Sequence, residues 1–269
     1  MPLIELPTGA TVSFSDAGSG RPIVLLHGVA MSSVFFERNV ADLSRDHRVI
    51  ALDFRGHGAS PYVEGGHTVA QYARDVRAVI DALGLDRPVL VGWSMGSLVA
   101  WDYLRQFGDD HRLAGVIIVS QGPSDLIQAD WPYGIADDSD LHAFLSAMQD
   151  DSRAFLAEFL PTMFHTAPDQ GTLDRLLDDI GRAGPNTGTL ILADQTMQDY
   201  RVDMPSFTVP HLLVWGTDEQ VGKLAAADWL AGSLPNAELH IFDTSGHCPM
   251  WEESEKFNAL ARSWVATLD

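Results

Sequence analysis

The chain has 269 residues, 46% hydrophobic and 20% charged, enough for one large α/β domain with room for an inserted segment. Its 37 Asp and Glu outnumber 17 Lys and Arg, and the formal charge of −20 argues against partners such as nucleic acid or an anionic membrane. A single cysteine, Cys248, excludes an internal disulfide and fits a reducing compartment. No signal-peptide pattern opens the chain and no apolar run reaches transmembrane length, so a cytoplasmic location is expected.

The first elements read as strands. Thr11–Ser15 alternates in polarity, and a Gly18-Ser19-Gly20 turn leads into Pro22-Ile23-Val24-Leu25-Leu26. That run is apolar on both faces, as is His47–Leu52, and both fit buried parallel strands. Helical patterns lie around 33–44 and 68–83, where Val69, Tyr72, Ala73, Val76, Val79, Ile80 and Leu83 recur at helical spacing and Gly84 supplies the stop.

Next comes Pro88-Val89-Leu90-Val91, then Gly92-Trp93-Ser94-Met95-Gly96, then a helical run from Ser97 to Leu104. A G-x-S-x-G between a strand and a helix reads as a nucleophile elbow, a turn that lifts one serine above the sheet. The glycines admit the close approach of the neighbouring strand and helix, and the serine takes a strained backbone conformation. The helix start behind Ser94 directs free N–H groups at an anion formed there. Leu113–Val119 is a further buried strand, and the strand–helix alternation predicts a mostly parallel sheet covered on both faces.

From 121 to 205 the rhythm changes to successive helical patterns. Their stripes are Leu141, Phe144, Leu145 and Met148, then Phe155, Leu156, Phe159, Leu160 and Met163, then Leu173, Leu176, Leu177 and Ile180. This block is expected to be a helical cap inserted after the sixth strand, with 1–120 and 206–269 forming the core. Alternation resumes with the strand His211–Trp215, a helix near 223–233, the strand Glu238–Phe242 and a last helix near 252–267.

A serine hydroxyl needs a base within hydrogen-bond reach and a third group to orient that base. The base candidate is His247, the one histidine in a glycine-containing loop between the last strand and the terminal helix. His57 and His67 read as loop or turn residues, and His111, His142 and His240 as exposed ones. The acid belongs in Thr217-Asp218-Glu219-Gln220-Val221, after the strand that ends in Gly216. Counting three residues past Gly216 selects Glu219; a one-residue deletion selects Asp218. Asp125 is a third candidate. Oxyanion donors would be the N–H groups of Met95 and of Val29, which follows His27-Gly28. No histidine spacing forms an H-E-x-x-H metal site, and no metal is expected.

Five segments in this order carry a resemblance: Leu25-Leu26-His27-Gly28, Asp53–Ser60, Gly92–Gly96, Val214-Trp215-Gly216, and Gly246-His247 with Glu252. Over essentially its whole length the chain resembles the α/β-hydrolase fold superfamily, most of all its cofactor-free haloperoxidase/esterase branch. The resemblance implies a triad of Ser94, a loop carboxylate and His247, oxyanion donors at Val29 and Met95, and no cofactor. It implies a structural turn for Asp53–Ser60, with Arg55 as a residue to follow. Trp93 stands where the family often has a smaller or more polar residue, and it either packs at the sheet–helix junction or narrows the pocket.

The expected activity is cleavage of a carboxylic ester or lactone, an apolar acyl compound, through an acyl-serine. Trp93, Trp131, Met148, Phe159 and Met163, with Tyr133, are candidates to line the pocket, although Met and aromatic stripes more often pack a core. Two other readings stay open: a dioxygenase or C–C bond hydrolase on the same fold, and a ligand-binding receptor with a slow triad. Fold alone does not choose among them.

Overall fold

A computed structural model describes residues 1–108, 112–184 and 186–268; the expected exposure of His111 lies outside them. Eight strands form one sheet in the order β1-β2-β4-β3-β5-β6-β7-β8. They are β1 (Leu3–Glu5), β2 (Thr11–Gly18), β3 (Pro22–Leu26), β4 (Arg48–Asp53), β5 (Val89–Trp93), β6 (Gly115–Val119), β7 (His211–Gly216) and β8 (Ala237–Phe242). β1 and β2 run antiparallel at one edge, and every pairing from β4 to β8 is parallel.

The central strands are apolar throughout because both of their faces are covered. Val24, Leu26, Leu90, Val116 and Ile118 point into one core layer, which contains Tyr72, Val76 and Leu98. These last three come from α2 (Val69–Ala82) and α3 (Met95–Phe107). Ile23, Leu25, Val89, Val91 and Ile117 point into the other, with Phe257 and Ala261. The period-2 alternation of side chains sorts each strand into the two layers. Each fully buried Leu, Ile or Val contributes roughly 1.5–3 kcal/mol.

The remaining helices are α1 (Glu37–Leu43), α4 (Asp138–Phe159), α5 (Gln170–Ile180), α6 (Thr187–Thr196), α7 (Leu224–Ser233), α8 (Pro249–Glu252) and α9 (Ser254–Val265). α2 starts where the Thr68 hydroxyl accepts the Gln71 N–H, and Gly84 follows it with φ +59°. α4 starts in a capping box between Asp137 and Asp140. It breaks at Asp151 (φ −153°, ψ 89°), whose carboxylate accepts the Ala154 N–H and so recaps the second half. The two stripes read at 141–148 and 155–163 fall on either side of that break.

The structure adds to the sequence reading in three places. Leu3–Glu5, for which the sequence carries too little pattern to read, is a strand paired with Glu5↔Thr11 register. The last helix lies where expected, as α9, and a short α8 precedes it, divided from it at Glu253. His57 and His67 sit outside helices and strands, as read, and both are buried.

α4, α5 and α6 all lie between β6 and β7. β3 sits between β4 and β5, so successive parallel connections leave it toward opposite edges. Crevices outside the carboxyl ends of strands form at such switch points. The turn after β4 is built by its own side chains: the Asp53 carboxylate accepts the N–H groups of Ser33 (2.8 Å) and Ala59 (2.9 Å). Arg55 makes a buried two-pronged pair with Asp75 of α2, at 2.6 and 2.7 Å.

Candidate active site

At the end of β5, Ser94 has φ 51° and ψ −126°, a left-handed conformation costly for a residue with a side chain. Its neighbours explain how the turn closes. A Cβ on Gly92 would meet the Gly96 and Ser97 backbone, and one on Gly96 would collide with the Leu26 carbonyl of β3. The Ser94 N–H donates to Val119 of β6 at 3.0 Å, and the Ser97 hydroxyl donates to the Gly92 carbonyl at 2.7 Å. Ser94 therefore stands where β5 becomes α3.

His247 lies in the loop after β8. Its Nδ1 is 2.9 and 3.0 Å from the two Glu219 carboxylate oxygens, and the two side chains are only 3% and 1% exposed. A carboxylate accepts only, so in the neutral imidazole Nδ1 carries the proton and Nε2 the lone pair. Glu219 is held by its own loop, because its Oε1 also accepts the N–H groups of Val221 (2.8 Å) and Gly222 (3.0 Å). Burial pushes the Glu219 carboxyl up, but the nearby His247 charge and hydrogen bond, with those two N–H groups, hold it below the usual glutamate value.

Asp218 points elsewhere, its carboxylate paired with His165 Nδ1. Asp125 is buried and takes hydrogen bonds from Gln121 (2.6 Å) and Gln195 (2.8 Å). Burial pushes its pKa up to about 6. Of the three candidate carboxylates, Glu219 is the one bonded to the His247 ring.

Val29 follows Gly28 at the carboxyl end of β3, and a Cβ on Gly28 would come within 3.3 Å of the Ser94 Cβ. The peptide between Gly28 and Val29 is clamped. His27 Nε2 accepts the Phe54 N–H at 3.1 Å, which leaves Nδ1–H to donate to the Gly28 carbonyl at 2.8 Å. With that carbonyl fixed, the trans peptide fixes the opposite direction of the Val29 N–H. Burial keeps His27 neutral, lowering its pKa to about 4. Met95 is the first residue of α3, where an N–H has no partner within the helix.

Ser94, His247, Gly28 and Val29 border one cavity of about 170 Å³. Its outer wall comes from the segment between β6 and β7, through Phe144, Met148, Phe155, Phe159 and Met163. Trp93, Met148, Phe159 and Met163 thus lie where the sequence reading puts them. Trp93 is buried against Phe35, borders the cavity, and donates its Nε1–H to the His247 carbonyl at 2.8 Å. Trp131 is a correction. It does not border this cavity; it is buried, donates to the Ser124 carbonyl, and packs edge-on against Tyr133 and Trp229. An indole N–H that finds a local acceptor and two aromatic neighbours is a packing residue.

Met31, Ile135, Leu192, Gln195 and Val221 also border the cavity and were not read from the sequence. Their apolar members look like any core residue until the sheet and the inserted helices are placed together. Cys248 is buried, and burial raises its thiol well above the ordinary value.

Glu252 ties the base loop to the inserted segment. One oxygen accepts the Gly246 N–H (2.8 Å), and the other accepts the His165 N–H (2.7 Å). Beside it the His247 N–H donates to the Met163 carbonyl at 2.7 Å.

Residues 21–254 match the alpha/beta hydrolase fold family, and the chain belongs to that family. Within it the chain lies in the haloperoxidase/esterase branch. It is 30% identical over 253 residues to the pimeloyl-[acyl-carrier protein] methyl ester esterase of Nitrosomonas europaea, covering 92% of this chain and 97% of that one. It is 28% identical over 275 residues to the non-heme haloperoxidase of Rhodococcus erythropolis, covering 98% and 99%. Among solved structures, an esterase from Exiguobacterium antarcticum superposes with a TM-score of 0.92 at 26% identity, covering 98% of both chains. Among the described residues, no helix is long and apolar enough to cross a membrane.

Proposed function

We propose that this protein is a serine hydrolase that cleaves a carboxylic ester or lactone through an acyl-serine. Ser94 is the nucleophile, His247 the general base and Glu219 the group that orients it. One observation carries the reading: the His247 imidazole, with Nδ1 engaged by a buried carboxylate, borders the same small cavity as an elbow serine. The helical segment 121–205 acts as a cap that supplies the apolar wall for the substrate.

In this mechanism His247 Nε2 takes the Ser94 proton as Oγ attacks the acyl carbon. The carbonyl electrons move to oxygen, and the Val29 and Met95 N–H groups stabilise the oxyanion. Each such donor contributes about 3–4 kcal/mol in well-studied hydrolases. The His247 imidazolium, steadied by Glu219, protonates the leaving alcohol or ring oxygen. Water, deprotonated by the same histidine, then attacks the acyl-serine and releases the acid. An apolar cavity strengthens these electrostatic terms by excluding water.

The test is Ser94→Ala against a panel of esters and lactones. Turnover should drop by at least ~10³-fold, and a fluorophosphonate should label wild-type Ser94 alone. Wild-type activity in the alanine variant, or oxygen uptake without an acyl-enzyme, would overturn the reading.

A further inference from the structure

We propose that Trp93 is a positioning residue for His247, its indole N–H fixing the loop of the proposed base against the elbow. The role rests on the hydrolase reading above, but the positioning itself is measurable without turnover.

The backbone of His247 is pinned on both sides. Its N–H donates to the Met163 carbonyl at 2.7 Å, and its carbonyl accepts the Trp93 Nε1–H at 2.8 Å. Each bond holds one planar peptide group, so together they set the direction in which the side chain leaves the backbone. Glu219 then fixes the ring through Nδ1. Of these partners, Trp93 is the one that belongs to the elbow, directly before Ser94. Among the described residues, its N–H makes the one hydrogen bond between residues 92–97 and 245–248.

The indole is itself held in place. It is fully buried at the end of β5, where Trp93 pairs with Val119 of β6. Its ring centre lies 4.7 Å from that of Phe35 and 5.8 Å from that of the His247 imidazole. A Cβ on Gly28 would come within 3.4 Å of the indole. The residue that leads into Ser94 therefore packs beside both His247 and the glycine that precedes Val29.

Packing alone does not account for the bond. A buried indole N–H often finds some acceptor nearby, as Trp131 does seven residues away at Ser124. Trp101 and Trp215 are as buried as Trp93, and among the described residues their indole nitrogens have no hydrogen-bond partner. The Trp93 N–H instead reaches a carbonyl 154 residues away, on the residue whose direction the proposed reaction depends on. Misplacing a reacting group by about 1 Å can cost on the order of 10²-fold in rate. A bond that removes freedom from the base therefore acts on kcat and leaves ground-state binding alone.

The experiment removes the donor and keeps the shape. Benzothienylalanine, with sulfur in place of the indole N–H, is installed at Trp93 alone by codon reassignment. For esters that the wild type hydrolyses, kcat should fall about 10- to 100-fold while KM stays within about twofold. Fluorophosphonate labelling of Ser94 should slow by the same factor as kcat. In proton NMR, the wild-type His247 Nδ1–H is identified by its loss in Glu219→Gln, and its signal should shift or broaden in the benzothienyl protein. Should that protein not fold, Trp93→Phe removes the same donor and carries the same kcat and NMR readouts. Wild-type kcat in the folded variant overturns the proposal, as does a loss confined to KM or an unchanged Nδ1–H signal. If the wild type turns over no ester or lactone, the hydrolase reading falls. The Nδ1–H signal then decides the positioning by itself: a change supports it and no change overturns it.

Discussion

His247 depends on a carboxylate that its own loop holds still. Glu219 gives one oxygen to two backbone N–H groups and faces the imidazole with both, so in the proposed mechanism it orients the ring without having to find its position in each turnover. Glu219→Gln should lower kcat by roughly 10³–10⁴-fold, because the amide can favour the wrong imidazole tautomer. Asp218→Asn, which alters only a partly exposed pair with His165, should cost less than about tenfold. Steady-state kinetics of both variants decide between the two carboxylates, and equal large losses would remove Glu219 from its role. Sequence spacing put two adjacent residues, Glu219 and Asp218, ahead of Asp125 and went no further. What separates them is the direction of each side chain, which follows from a loop closed by the Val221 and Gly222 N–H groups. The hydrogen bond between Gln195 and Asp125 was not legible at all, because the two residues lie 70 apart in the chain.

The elbow is the element on which the site turns. Gly96 lies so close to β3 that a methyl group would strike the Leu26 carbonyl. Gly96→Ala should therefore cost about 3 kcal/mol or more, at or beyond the upper end of the range for overpacking, and chemical denaturation would measure it. A second element-level test concerns the β4–α2 connection. Removing one partner of the buried Arg55–Asp75 pair strands a charge, so Asp75→Ala should destabilise by about 3–5 kcal/mol. A loss below ~1 kcal/mol would show that water reaches the guanidinium. Arg55 is a structural residue on this view, in keeping with a turn that holds its own shape. The buried strands and α2 were plain in the sequence because their periodicity is strong. β1 and the break at Asp151 were not, since three residues of strand and one recapped helix turn leave almost no pattern.

At the scale of the whole molecule, acidity is the main vulnerability. His27, His57 and His211 are buried, and burial lowers their pKa values to about 4, 3 and 4 from an ordinary 6.5. The folded state thus binds fewer protons than the unfolded one below pH 6.5. Their contribution is complete above that pH and is lost as pH falls toward 4, at roughly 1 kcal/mol per unit for each histidine. Asp125, raised to about 6, works in the opposite direction over part of the window, as do Asp194 and Glu252, raised by burial, while His67, lowered by burial, acts with the other three histidines. Denaturant midpoints at pH 7, 6 and 5 should fall steadily; a flat profile would mean the histidines reach solvent. The charge of −20 adds self-repulsion, so added salt should raise the melting temperature at pH 7.

The fastening made by Glu252 also decides how this protein could be re-engineered. The outer cavity wall and the proposed reacting groups come from separate stretches of chain, which invites exchange of the whole 121–205 segment for that of a relative. A junction drawn only at the two strand ends would swap out the Met163 carbonyl, which accepts the His247 N–H, and the His165 N–H, which donates to the Glu252 carboxylate that also holds Gly246. A chimera that keeps residues 163–166 native should inherit the donor's substrate range with its own catalytic loop undisturbed, whereas one that replaces them would lose turnover while still binding ligand.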